Sequence, residues 1–254
     1  MCGFGVLEHR PPESSACGFK RYDYRVPVVD DSPILPPDPP GLVLLHDREY
    51  RVRSYLMEVE GGRHLLLRGA VRDQKPAGLY LAEDPDPLTI HHMQVEMEVA
   101  FPSMEIVAAN VLFESHPHTE CLSIVDHYGK LVGLSIARGF NNRVRELFGG
   151  PRGCTHTTAL LLAMAPVAIQ SIWSMSMHDG MRDGLAEPDG AWTVSAEQRE
   201  MMLRPNLNSC HVWDEEGPIV AGIRAGQAIG EPITITERRE RLRPRRSDTG
   251  PGRD

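Results

Sequence analysis

The 254-residue chain lacks most of the signatures that place a protein in a class at sight. It has five cysteines, Cys2, Cys17, Cys121, Cys154 and Cys210, at wide and irregular spacings. That excludes the dense disulfide framework of a small secreted domain and reads as reduced thiols. No C-x-x-C and no H-E-x-x-H occurs, so neither a zinc ribbon nor a metalloprotease helix is written in it. G-x-S-x-G, the dinucleotide fingerprint and the kinase set are also missing, so no nucleotide cofactor is expected. Basic residues are outnumbered, 27 Lys and Arg against 35 Asp and Glu, for a net charge of -8. A chain that grips nucleic acid or anionic lipid over a broad face needs the opposite balance, so neither nucleic acid nor membrane is an expected partner. The longest apolar run, Ala159 to Ile169, is too short for a bilayer and contains Pro166. The start, "MCGFGVLEHRPPESS", shows no basic segment followed by an apolar core, and a soluble cytoplasmic protein is the expectation.

What is present divides the chain by period. Residues 1–40 end in "DDSPILPPDPP", whose prolines remove donors and favour extended backbone, so this segment reads as a loosely ordered lead-in. From residue 41 the text is strand-like: "REYRVRSYLMEVE", "RHLLLRGAVRD", "LTIHHMQVEMEVAF" and "SMEIVAANVLFE", separated by Gly-Gly or Pro-rich breaks. In the third of these His91, Met93, Val95, Met97 and Val99 alternate with His92, Gln94, Glu96 and Glu98, which gives a strand one apolar and one wet face. "GGRH" at 61–64 reads as a hairpin turn and "EDPDPL" at 83–88 as a longer loop.

After residue 115 the pattern turns helical. "GFNNRVRELFGG" places Phe140, Val144, Leu147 and Phe148 on one face and ends in a glycine pair. A helix beginning near Cys154 is apolar nearly all round through Met177, so it is expected inside the fold and kinked at Pro166. "HDGMRDGLAEPDGAW" reads as loop, "SAEQREMMLRP" as a helix capped by Ser195, and "NSCHVWDEEGPIVAGI" as a turn leading into a strand or hairpin. The six arginines between Arg238 and Arg246 belong to a charged, solvated tail. The expected fold class is therefore α+β, an antiparallel sheet followed by a helical half around one central helix. Its domain is residues 41–236, with the tail at 237–254.

Chemistry is expected where "GGPRGCTHTTALLL" delivers Cys154 and His156 to the head of that helix. Unpaired N-H groups and the helix dipole there favour a thiolate, as nucleophile or ligand. Residues two apart do not share a helix face, so their pairing depends on the turn. Two other segments also bring a cysteine beside histidine: "SHPHTEC" with His116, His118 and Cys121, and "NSCHVW" with Cys210 and His211. Together these supply donors suited to a tetrahedral zinc site or to iron. Adjacent His91 and His92 point to opposite strand faces and read as ordinary strand residues. Asp126 and His127 are a weaker candidate pair. "GGPRG" with Arg152 could hold an anion on its N-H groups, but it lacks the Lys-Ser/Thr end of a P-loop and a tight helix-to-helix turn explains it better.

The stretch "LVGLSIARGFNNRVRELFGGPRGCTHTTALLLAMAPVAIQS", followed by "NSCHVW", resembles the uncharacterised DUF2889 family, over about Tyr50 to Val220. The likeness is most specific at G-C-T-H and the later Cys-His. It singles out Cys121, Cys154, His156, Cys210 and His211 and implies no settled reaction. The sequence departs from the family pattern at Thr157, where a leucine is usual, which bears on packing. A β-rich half followed by a helix that opens with cysteine is also similar, at fold level alone, to iron-sulfur scaffold proteins of the NifU type.

Three readings follow. The first is a Cys/His site binding zinc or an iron species, with Cys121, Cys154 and Cys210 as thiolate ligands and His156 or His211 as the fourth. The second is a metal-free enzyme of small-molecule catabolism, acting on an aromatic or acyl substrate, with Cys154 as nucleophile or His156 as acid/base. The third is a non-catalytic interaction protein in which these residues are packing.

Overall fold

The computed structural model describes residues 32–182, 195–204, 206–227 and 232–243. Alternating apolar residues build four strands, β1 (Asp47–Val59), β2 (Gly62–Lys75), β3 (Leu88–Phe101) and β4 (Glu105–Ser115), in the order β1-β2-β3-β4 of one antiparallel sheet. Met93 faces Phe113, Val95 faces Val111 and Met97 faces Ala109 across β3 and β4, and a register shift follows Glu98. A long 3-10 segment (Thr119–Leu131) then leads to α1 (Phe140–Phe148), α2 (Thr155–Arg182), α3 (Ala196–Leu203), α4 (Pro218–Arg224) and α5 (Ile233–Leu242). The expected α+β class, sheet first and helices after, is what the chain forms.

Among the described residues, contacts define two units, one of 32–48 with 73–89 and one of 49–72 with the residues from 90 onward. The first is the smaller. Its residues 32–45 form neither helix nor strand and are exposed, including Leu42 to Leu45. Its buried anchor is Asp73, whose Oδ1 and Oδ2 accept from Arg48 Nε at 2.5 Å and Nη2 at 2.7 Å.

The second unit holds the main core. Leu65, Leu67 and Val71 of β2, Met93, Val95, Met97 and Val99 of β3, and Ile106, Val111 and Phe113 of β4 form one cluster with Tyr128, Phe148, Leu160, Leu161, Met164 and Ala168. Gly69 lets α2 approach: a Cβ there would stand 2.7 Å from Met164 Sδ and 3.1 Å from Leu160 Cδ1. A small second cluster joins Leu203, Val220 and Ile223, with Leu207 and Trp213 packed on it.

The helical half departs from expectation at several segments. The α2 helix is not buried all round: Thr157, Leu160, Leu161, Met164, Ala168 and Met175 recur at helical spacing and are buried, while Ala163, Pro166, Gln170, Trp173 and Met177 are exposed. It also continues through His178 to Arg182, where the glycine- and charge-rich text read as loop. An ion pair of Arg63 with Asp179, 2.6 Å, ties this last stretch to the start of β2. The "GPIVAGI" segment is helical rather than extended, because Pro218 fits the first helical turn and Val220 and Ile223, three apart, both face Leu203. The arginine-rich stretch begins inside α5, all of whose residues are exposed, and continues beyond the described residues.

Thr155–Asp179 has the length and apolar composition to cross a membrane, although the uninterrupted apolar run within it had argued otherwise. Its buried stripe belongs to the sheet's own core.

Candidate metal centre

The head of α2 is built by a turn that allows no side chain at two positions. A Cβ at Gly149 would lie 2.4 Å from the Arg145 carbonyl oxygen, and one at Gly153 would lie 2.5 Å from that of Phe148. Of the final carbonyls of α1, that of Arg145 accepts the Gly149 N-H at 3.0 Å, and side chains add to it or serve the others. Arg152 donates to Glu146 O at 2.8 Å and to Arg145 O at 3.2 Å, His127 Nε2 donates to Leu147 O at 3.0 Å, and Thr158 Oγ1 donates to Phe148 O at 3.0 Å. The turn reading of "GGPRG" is thus the one with a structural basis, since Arg152 caps α1. His127 serves the same helix end.

Cys154 precedes the first helical residue, and its carbonyl accepts the Thr158 N-H at 2.9 Å. Its own N-H donates to the hydroxyl oxygen of Tyr128 at 2.7 Å. Tyr128 is fully buried and stacked on Phe148 with ring centroids 4.8 Å apart. Burial raises its pKa above the ordinary phenol value, against the opposing effect of the hydrogen bond with the Cys154 backbone. With the backbone held this way, Cys154 Sγ lies 3.6 Å from His156 Nδ1. The turn therefore brings together two residues that helix geometry alone would separate.

His156 also meets β3: its ring stacks on that of His91, centroids 3.9 Å apart and planes at 27°. Among the described residues, the group of potential ligands whose donor atoms all lie within 4.8 Å of one another is Asp73, His91 and His156. All three side chains are buried or half-buried. Two imidazoles and a carboxylate are the donor set of catalytic zinc and of non-haem ferrous sites.

The other candidates lie elsewhere. Cys121 sits on the 3-10 segment and packs against the main core, while Cys210, just before the short 3-10 turn His211–Trp213, is exposed, as is His211. Cys121, Cys154, Cys210 and His211 are outside the three-residue group. His116 Nδ1 contacts the backbone oxygen of His118 at 2.9 Å, and both are on the surface side of the 115–119 bend. His92 pairs with Glu114 at 2.8 Å on the outer sheet face.

The sequence reading did not single out Asp73 and took His91 as an ordinary strand residue, although the period-two pattern contained a signal for both. Leu65, Leu67, Gly69 and Val71 are the inward row of β2, and Asp73 is its next member. His91 likewise continues the inward row Met93, Val95, Met97, Val99 of β3. A carboxylate and an imidazole in phase with a buried face are unexpected on packing grounds alone.

Residues 46–170 match the family model described as "Protein of unknown function (DUF2889)". No curated protein and no solved structure matches the chain. The match is shorter than the likeness seen in the sequence: it opens at the start of β1, closes within α2, and leaves Cys210 and His211 outside. Asp73, His91, Cys121, Cys154 and His156 all fall within it, and over residues 46–170, just under half of its length, the chain is similar to the DUF2889 family.

Proposed function

We propose that the protein binds one transition-metal ion, zinc or ferrous iron, through His91 and His156 with the Asp73 carboxylate as oxygen donor. The observation that carries this reading is the 4.8 Å convergence of three donor atoms of the right chemistry on inward-facing positions. The chelating geometry requires a small motion. Imidazoles sharing an ion each point a ring nitrogen at it, at about 2.0–2.1 Å for zinc, so their planes meet at the metal. Planes only 27° apart at 3.9 Å are stacked rather than converging, and at least one ring must turn about its Cβ–Cγ bond on binding. Asp73 accepts from Arg48 and lies 3.5 Å from His46 Nε2, so an ion would share its carboxylate with these partners.

Three protein donors leave coordination positions for water or for an oxygen of a small-molecule substrate. An ion there lowers the pKa of bound water or polarises a carbonyl. Elemental analysis of untagged protein is expected to give one equivalent of zinc or iron, removed by a chelator. His91→Ala and His156→Ala are each expected to fall to background. Full metal content in both variants, or none in the unaltered chain after reconstitution with either ion, overturns the proposal.

A further inference from the structure

The ring of His156 has two nitrogens and only one can bind an ion while the ring stays neutral, so the partner of the other decides the tautomer. Here that partner is visible. Nδ1 faces Cys154 Sγ at 3.6 Å, which leaves Nε2 as the nitrogen for the metal. Resting on the metal reading above, we propose that Cys154 is a positioning residue of the centre: its sulfur accepts a hydrogen bond from Nδ1-H of His156 and so holds Nε2 toward the ion.

Two further observations fit this role. Cys154 lies outside the group of converging donors although it touches one of its members. Its backbone is also clamped, the N-H by the Tyr128 hydroxyl at 2.7 Å and the carbonyl by Thr158 at 2.9 Å, so the sulfur is presented from a fixed point. In most metal sites a carboxylate or carbonyl fills this place. Here a sulfur stands in that place, at 3.6 Å from Nδ1. Metal on Nε2 would draw electron density from the ring and make Nδ1-H a better donor, so ion binding and the contact of Nδ1 with Cys154 Sγ reinforce each other. Any modification that consumes the thiol then weakens metal binding without touching a ligand.

A sulfur 3.6 Å from a ring nitrogen is also the spacing of two ligands on one tetrahedral zinc, with bonds of about 2.3 and 2.1 Å. Cobalt(II) separates the two roles, because a directly bound thiolate gives an intense near-ultraviolet charge-transfer band and an outer one does not. The full-length protein is titrated with Co(II), alongside Cys154→Ala and Cys154→Ser. The expected result is one equivalent bound with ligand-field bands and no thiolate charge-transfer band. Affinity should fall about 10- to 100-fold in Cys154→Ala, the usual effect of losing an outer partner. It should be largely restored in Cys154→Ser, whose hydroxyl can accept the same bond. A charge-transfer band that disappears in both variants makes Cys154 a ligand and overturns the positioning role while the metal site stands. Unchanged affinity in Cys154→Ala overturns the role in the same way. Failure of the unaltered protein to bind Co(II) overturns both proposals together.

Discussion

A single buried hydroxyl governs the head of the central helix. The phenol of Tyr128 accepts the N-H of Cys154, and the residue sits among Phe113, Phe148 and the core of the sheet. Tyr128→Phe keeps the ring and its packing but leaves that N-H without its acceptor, which is expected to cost about 1–3 kcal/mol. The pH dependence has a definite sign. Burial raises the folded-state pKa above the ordinary value of 10.0, so the folded protein holds a proton that the unfolded chain releases. The stabilisation is complete below about pH 10 and is lost as pH rises through the folded-state pKa, at up to about 1.4 kcal/mol per pH unit. Urea denaturation from neutral to strongly alkaline pH should show this loss in the unaltered protein and a shallower one in Tyr128→Phe. Identical alkaline profiles would mean that the phenol does not carry the effect. At this scale the sequence was half informative. The Cys154 and His156 pair stood out because of its company, whereas Asp73 and His91 were hidden among strand residues. Their meaning depends on which strand face is covered by α2, and that is a tertiary fact.

Elements were easier to read than sites. All four strands and α1 lie where period and glycine breaks placed them, because a two-residue alternation and an amphipathic stripe are local properties. The failures were at segments whose state is settled by a distant partner: "GPIVAGI" becomes α4 by packing Val220 and Ile223 against Leu203, and His178 to Arg182 stay helical where Arg63 engages Asp179. The connection from α1 to α2 shows how strongly a turn can constrain chemistry. Gly153→Ala would drive its methyl into the Phe148 carbonyl at 2.5 Å, a backbone atom that cannot turn aside. A loss of about 1–3 kcal/mol is expected, as for overpacking elsewhere, together with weaker metal binding because Cys154 is the next residue. Gly129→Ala is the internal control. Nothing lies within 4 Å of its added methyl and its φ is not positive, so it should be neutral or slightly stabilising. Chemical denaturation of the two variants checks the contrast, and equal effects would show that the close approach at Gly153 is not what fixes the turn.

For the molecule as a whole, the question is what environment the two faces of α2 meet. The helix has the length and composition of a membrane span, yet one stripe of it lies in the core formed by β2, β3 and β4. Composition cannot distinguish these situations, since a bilayer and a protein core both select apolar residues. Position around the helix can. Ala163 is exposed and Ala168 fully buried, the same residue type within one apolar stretch. In a helix packed on one side and wet on the other, Ala163→Lys should change stability by no more than about 0.5 kcal/mol, as ordinary surface substitutions do. Ala168→Lys forces an ammonium into a close-packed core with no partner and should prevent stable folding. A helix surrounded by lipid would penalise both, since each lies near the middle of the apolar stretch and a lysine at the centre of a span costs about 2.5–3.5 kcal/mol. Denaturation midpoints of the two variants in aqueous buffer therefore distinguish a one-sided core helix from a lipid-exposed one. The asymmetric outcome is expected because the buried residues of α2 recur at i, i+3 and i+4, a pattern that a uniform apolar surrounding has no means to impose.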